Sequence, residues 1–118
     1  MHKAHPNALG LLFESLVIRD LRTYAEAADA EVFFFTDASG TEADAIVDTG
    51  DGRWLAIEVK LGGPEALDQA ARSLMAVRRK VDASRMGEAR LVVITATGGY
   101  PHERPDGVAV APFFTLGP

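Results

Sequence analysis

Residues 42–60 read EADAIVDTGDGRWLAIEVK, and the fold turns on how this stretch doubles back on itself. Glu42 to Thr49 alternates acidic and apolar residues, with Glu42, Asp44, Ile46 and Asp48 expected on one face. Arg53 to Leu61 is a second strand, with Ile57 and Val59 on one side and Trp54, Ala56, Glu58 and Lys60 on the other. Between them, Gly50-Asp51-Gly52 reads as a hairpin loop. A loop of these three residues pairs Thr49 with Arg53. Counting outward then sets Asp44 opposite Glu58 and Glu42 opposite Lys60. A loop one residue longer or shorter would split the carboxylates between faces.

Two carboxylates opposed on a sheet repel unless positive charge lies between them. Lys60 is near, and a divalent cation would serve better. Hard oxygen ligands suit Mg²⁺, which needs only one or two carboxylates beside waters and substrate phosphate. Such a site can hold a phosphodiester oxygen and generate a hydroxide nucleophile. Lys60 would orient the attacking water or stabilise transition-state charge. The plainer alternative is a solvated strand face with a surface ion pair.

Working outward, Leu9, Leu12, Phe13, Leu16, Val17, Leu21 and Tyr24 recur at helical spacing, with Asn7 as the cap and the helix ending near Ala28. Glu14 falls inside the apolar arc of that helix, and a buried glutamate needs a partner. Glu31 to Thr36 is an aromatic strand, its Phe33-Phe34-Phe35 most simply buried. Gly62-Gly63-Pro64 stops the Glu58 strand and opens a helix from about Glu65 to Asp82, whose core side is Leu67, Ala70, Ala71, Leu74, Val77 and Val81. Arg90 to Thr95 is a continuous apolar run that suits a strand buried on both faces and paired in parallel. A last strand is expected over Gly107 to Ala111. The order helix, three strands, helix, two strands predicts an α/β fold with a mixed sheet.

The bounds agree. The 118 residues suit one domain, with 47% hydrophobic residues to fill a core and 25% charged. The absence of cysteine excludes disulfides and thiolate metal sites and suits a reducing cytoplasm. Neither a membrane-length apolar run nor a signal-peptide h-region is present, so a cytoplasmic protein without membrane contact is expected. The net charge of −5 weighs against unassisted nucleic-acid binding, although converging acids on a cation would invert the local field. Arg72, Arg78-Arg79-Lys80 and Arg85 could meet a phosphate backbone, but such runs are more often a solvated helix end. His2, His5 and His102 lack zinc-pair spacing, and no P-loop is present. Trp54 is read as cover for the site edge or core rather than a base-stacking platform.

Taken together, Gly10-Leu11-Leu12-Phe13-Glu14, Glu42-Ala43-Asp44 and Glu58-Val59-Lys60 resemble the PD-(D/E)XK nuclease superfamily. The resemblance implies a restriction-endonuclease-like α-β-β-β-α-β core with helices flanking a mixed sheet. From LFESLVIRDLRTYA to RPDGVAVAPFFTLGP, the chain is similar to a nuclease-like C-terminal domain of unknown function that follows an AAA-type ATPase module in predicted prokaryotic ATPases. The superfamily resemblance implies Asp44 and Glu58 as metal ligands, the Val59 carbonyl as another, Glu14 as an accessory ligand and Lys60 as catalytic base or charge stabiliser. The implied cofactor is Mg²⁺ or Mn²⁺. The implied partners are DNA and an ATPase module of the same full-length chain, with a homo-oligomer left open. Ala43 replaces the name-giving proline, and Gln69 is followed at position 73 by serine where the RecB-type branch has tyrosine. A catalytically silent module for assembly or partner recognition is the alternative that these departures keep open.

Overall fold

The computed structural model describes residues 8–82, 88–96 and 100–113. Helix α1 spans Ala8–Ala27, and strands β1, β2 and β3 span Glu31–Thr36, Glu42–Asp48 and Arg53–Lys60. Helix α2 spans Pro64–Asp82, and β4, β5 and β6 span Glu88–Thr95, His102–Glu103 and Ala109–Pro112. The six strands form one sheet in the order β1-β2-β3-β4-β6-β5. The first three run antiparallel in sequence. β4 joins β3 in parallel after α2, because a parallel return needs a crossover long enough to span the sheet. β6 is parallel to β4, and β5 pairs antiparallel with β6 at the edge. The mixed α/β sheet is the expected one. β5 arises within the stretch read as a loop, and the last strand begins two residues later than expected.

Glycine and proline punctuate the elements. Gly62 and Gly63 take φ of 144° and 103°, and Pro64 opens α2 at a position where its missing N–H costs nothing. At the end of α1, Ala30 N–H donates to the Ala25 carbonyl at 2.7 Å. Asp29, at φ 63°, takes the left-handed role usually given to glycine.

The two faces of the sheet bury different sets. Trp54, Ala56, Leu91 and Val93 pack under Ala70, Ala71, Leu74 and Val77 of α2. Ala45, Val47, Ile57, Val59 and Ile94 pack under Phe13, Val17 and Ala25 of α1. Phe113 stacks edge-on against Phe13, with ring centroids 5.5 Å apart. Because β3 and β4 are covered on both sides, their residues read as nearly continuous apolar runs.

Two expectations about apolar surface fail. Phe33 and Phe34 are exposed, because β1 is the outer strand of the sheet, and Arg22 lies over the Phe34 ring at 5.3 Å. Leu9 and Leu12 are also exposed. With Phe13, Leu16, Leu61, Gly62 and Ala96 they border an open apolar hollow of about 420 Å³ between α1 and the ends of β3 and β4. Helical periodicity locates an apolar arc but does not say how wide a sheet lies beneath it.

Candidate functional site

The hairpin register is the one counted from the sequence. Thr49 N–H donates to the Arg53 carbonyl at 3.2 Å, and the pairs run Asp48↔Trp54, Val47↔Leu55, Ile46↔Ala56 and Ala45↔Ile57. Gly50 and Gly52 have φ of 84° and 91°, the conformation the short loop requires. Asp48 and Asp51 carboxylates accept the N–H groups of Gly50 and Arg53.

Past Ala45↔Ile57 the backbone ladder gives way to side chains. The next two residues in register are Asp44 and Glu58. Glu58 Oε2 accepts the Asp44 N–H at 3.1 Å, and Asp44 Oδ2 accepts the Val59 N–H at 2.7 Å. Each carboxylate thus reaches across to the other strand's backbone. The cause lies on the far side of β2. β1 pairs Phe33 with Ile46 and Phe35 with Ala43, so Asp44 and Ala45 together face Phe34 alone. That extra residue is a β-bulge, a device that re-aims side chains and ends regular pairing. It also resets alternation: Ala43 packs with Ile46 in the α2-side core. Glu42 is therefore not on the face of Ile46, contrary to the simple period-two reading.

Asp44 and Glu58 are buried, at 8% and 4% exposure. Lys60 Nζ stands 4.0 Å from Glu58 Oε1 and keeps partial contact with solvent. The arrangement is two hard-oxygen ligands with an ammonium beside them. Val59, whose carbonyl is the further ligand implied by resemblance, lies between Glu58 and Lys60 with its side chain in the α1-side core. Glu14 is half-buried on α1, between Phe13 and Val17 in sequence, on the helix that covers the opposite face. Among the described residues no three His, Cys, Asp or Glu side chains gather as metal ligands. Two carboxylates completed by waters would meet the sparing oxygen coordination that Mg²⁺ accepts.

Other candidate residues lie elsewhere. Trp54 is 2% exposed and belongs to the α2-side core. Gln69 is exposed on α2. The basic run of α2 is partly committed, because Lys80 binds Asp37 and also meets Ser39 Oγ at 2.7 Å and Thr41 Oγ1 at 3.2 Å in the β1–β2 turn. This clamp was not foreseen from the sequence. The Lys80 and Ser39 hydrogen bonds lower the Asp37 pKa to about 2. A second clamp joins Arg104 to Asp68 at 2.9 Å and to Asp106 at 3.2 Å. His102 is exposed in β5. Asn7, His2, His5 and Arg85 lie outside the described residues. No helix among the described residues is long and apolar enough to cross a membrane.

Sequence reasoning passed over Thr95, which register pairs with Lys60 and whose buried hydroxyl lacks a hydrogen-bond partner among the described residues. The signal was available in RLVVIT, where a polar residue ends an otherwise apolar run.

No curated protein and no solved structure matches the chain. The model of a domain of unknown function, DUF4143, matches residues 9–115, nearly the whole sequence and every part of the site. The chain belongs to the DUF4143 family of domains of unknown function.

Proposed function

We propose that the domain is a PD-(D/E)XK-type metal-dependent phosphodiesterase acting on DNA, joined in its full-length chain to an AAA-type ATPase module. The observation that carries this reading is the convergence of Asp44, Glu58 and Lys60 where the β2–β3 ladder ends, the arrangement on which the sequence resemblance rests. Asp44 and Glu58 would hold the cation, with the Val59 carbonyl as a further ligand; Glu14, on the helix over the opposite face, does not gather with them. A bound Mg²⁺ or Mn²⁺ would polarise the phosphoryl group and supply hydroxide at neutral pH. Lys60 would donate to the phosphoryl oxygens as charge builds on them, in surroundings where burial strengthens its field.

One observation favours a second reading, a silent nuclease-fold module. Both carboxylates already brace the strand ends by accepting backbone N–H groups. That bracing would preserve the geometry after catalysis was lost.

The test measures cleavage of single-stranded, double-stranded and branched DNA with Mn²⁺ by wild type, Asp44→Asn and Lys60→Ala. Cleavage by wild type alone supports the nuclease reading, and equal residual cleavage in all three ends it. In parallel, a specific cation site should raise stability by about 2.7 kcal/mol at a hundredfold excess over its Kd. Loss of that increment in Asp44→Asn assigns the site, and its absence from wild type favours the silent module.

A further inference from the structure

β4 ends at Thr95, a polar residue at 2% exposure whose buried Oγ1 has no hydrogen-bond partner among the described residues. Leaving a hydroxyl in that state opposes folding, so its retention calls for a physical reason. Its position supplies one. The parallel β3–β4 register pairs Glu58 with Val93 and Lys60 with Thr95. Val93 shares the α2-side core with Trp54 and Ala56, so alternation carries Glu58, Lys60 and Thr95 onto that same face. On its other side Thr95 pairs with Pro112, which has no N–H to offer. The unsatisfied hydroxyl therefore neighbours the lysine of the candidate site.

Being buried, Thr95 Oγ1 cannot reach a substrate itself and must act through a neighbour. Lys60 Nζ, at 4.0 Å from Glu58 Oε1, is beyond hydrogen-bond length and carries three donors on a flexible stem. A cation on Glu58 would draw that carboxylate away from the ammonium. We propose that Thr95 is a positioning residue: its hydroxyl accepts a hydrogen bond from Lys60 once Glu58 is engaged, and holds the ammonium aimed at the phosphoryl group. The role in catalysis rests on the nuclease reading, whereas the Lys60–Thr95 contact can be tested without it.

The experiment compares wild type, Thr95→Val and Thr95→Ser. The chain has three lysines, Lys3, Lys60 and Lys80, so protein labelled with [¹⁵N]lysine gives few ammonium signals, and Lys60→Arg identifies that of Lys60. With saturating Mg²⁺, the Lys60 signal should be protected from exchange in wild type and Thr95→Ser and lost in Thr95→Val. Equal exchange in all three overturns the proposal. In DNA cleavage, Thr95→Val should lower kcat about 10- to 100-fold with KM within about twofold, the range for losing one charge-assisted bond, and Thr95→Ser should recover most of it. An unchanged kcat in Thr95→Val overturns the proposal. If wild type cleaves no DNA, the nuclease reading fails, and the exchange measurement alone decides whether Thr95 holds Lys60. Without cation, Thr95→Val should melt no lower than wild type, since it removes an unsatisfied group. A lower Tm would assign the hydroxyl a structural bond and overturn the proposal.

Discussion

Two groups of acid and lysine lie a few residues apart on this sheet. In one, Asp37 occupies the β1–β2 turn and Lys80 closes on it from α2, both in contact with solvent. In the other, Asp44 and Glu58 are buried where β2 and β3 part, with Lys60 beside them. The first group is fully engaged within itself. Asp37 Oδ1 accepts from Ser39 N–H, Ser39 Oγ and Thr41 N–H, while Lys80 is held by the carboxylate and both hydroxyls. It is a clasp between a turn and a helix. The second joins two strands through side-chain-to-backbone bonds and places its lysine at a looser distance, next to an unsatisfied threonine. The same residue types thus give a closed set of hydrogen bonds in one place and a looser, buried arrangement in the other. What separates them is burial and the bulge.

The hardest way to break this contrast is Asp44→Ala. It strips the buried Val59 N–H of a charged acceptor, and such a loss costs about 1.5–3 kcal/mol. Urea denaturation should show that loss, while Asp44→Asn, which keeps an oxygen for Val59, should cost clearly less. Equal losses would mean that charge rather than the bond matters at this position.

A smaller effect is expected from Gly52→Ala. A Cβ there meets nothing within 4 Å, so only the backbone conformation at φ 91° resists it. The expected cost is about 1–2 kcal/mol. Because the loop sets the Asp44–Glu58 register, the variant should also weaken any cation-induced rise in Tm. The Asp37–Lys80 clasp lies beyond the hairpin's influence and should keep its pH signature. A stability loss with an unchanged cation response would show that the strands hold register without the loop.

These cases mark what the sequence made legible. Gly50-Asp51-Gly52 made legible the register that brings Asp44 beside Glu58, because side-chain period and loop length leave few registers open. The apolar faces of α2 and β4 could be read because both are buried against long partners. The bulge at Asp44–Ala45 could not, since nothing in EADAIVD distinguishes a regular strand from one carrying an extra residue. Phe33 and Phe34 read as core because composition marks a strand but not its place at the edge of the sheet. The Lys80 clasp was hidden for a related reason: its partners lie 39 to 43 residues away, and only the packing of α2 beside the turn brings them together.

The smallest effect belongs to the clasp, and it has a sign. Asp37 has its pKa lowered from 3.8 to about 2, first by the Lys80 hydrogen bond and then by that of Ser39. A depressed carboxylate stabilises the folded state above its unfolded pKa, and that contribution is lost as pH falls through the folded value. The stabilisation should therefore be complete above about pH 4 and fade towards pH 2. Asp37→Asn removes the charge and keeps an oxygen for the turn. Thermal melts of wild type and variant should differ at pH 5 and converge near pH 2, with the gap at pH 5 narrowing in high salt because the pair is open to solvent. Asp44→Asn should leave a gap less sensitive to salt, because burial protects its bonds from screening. If both gaps narrowed alike, the second group would be as open to solvent as the first. The contrast between joint and site would then rest on geometry alone.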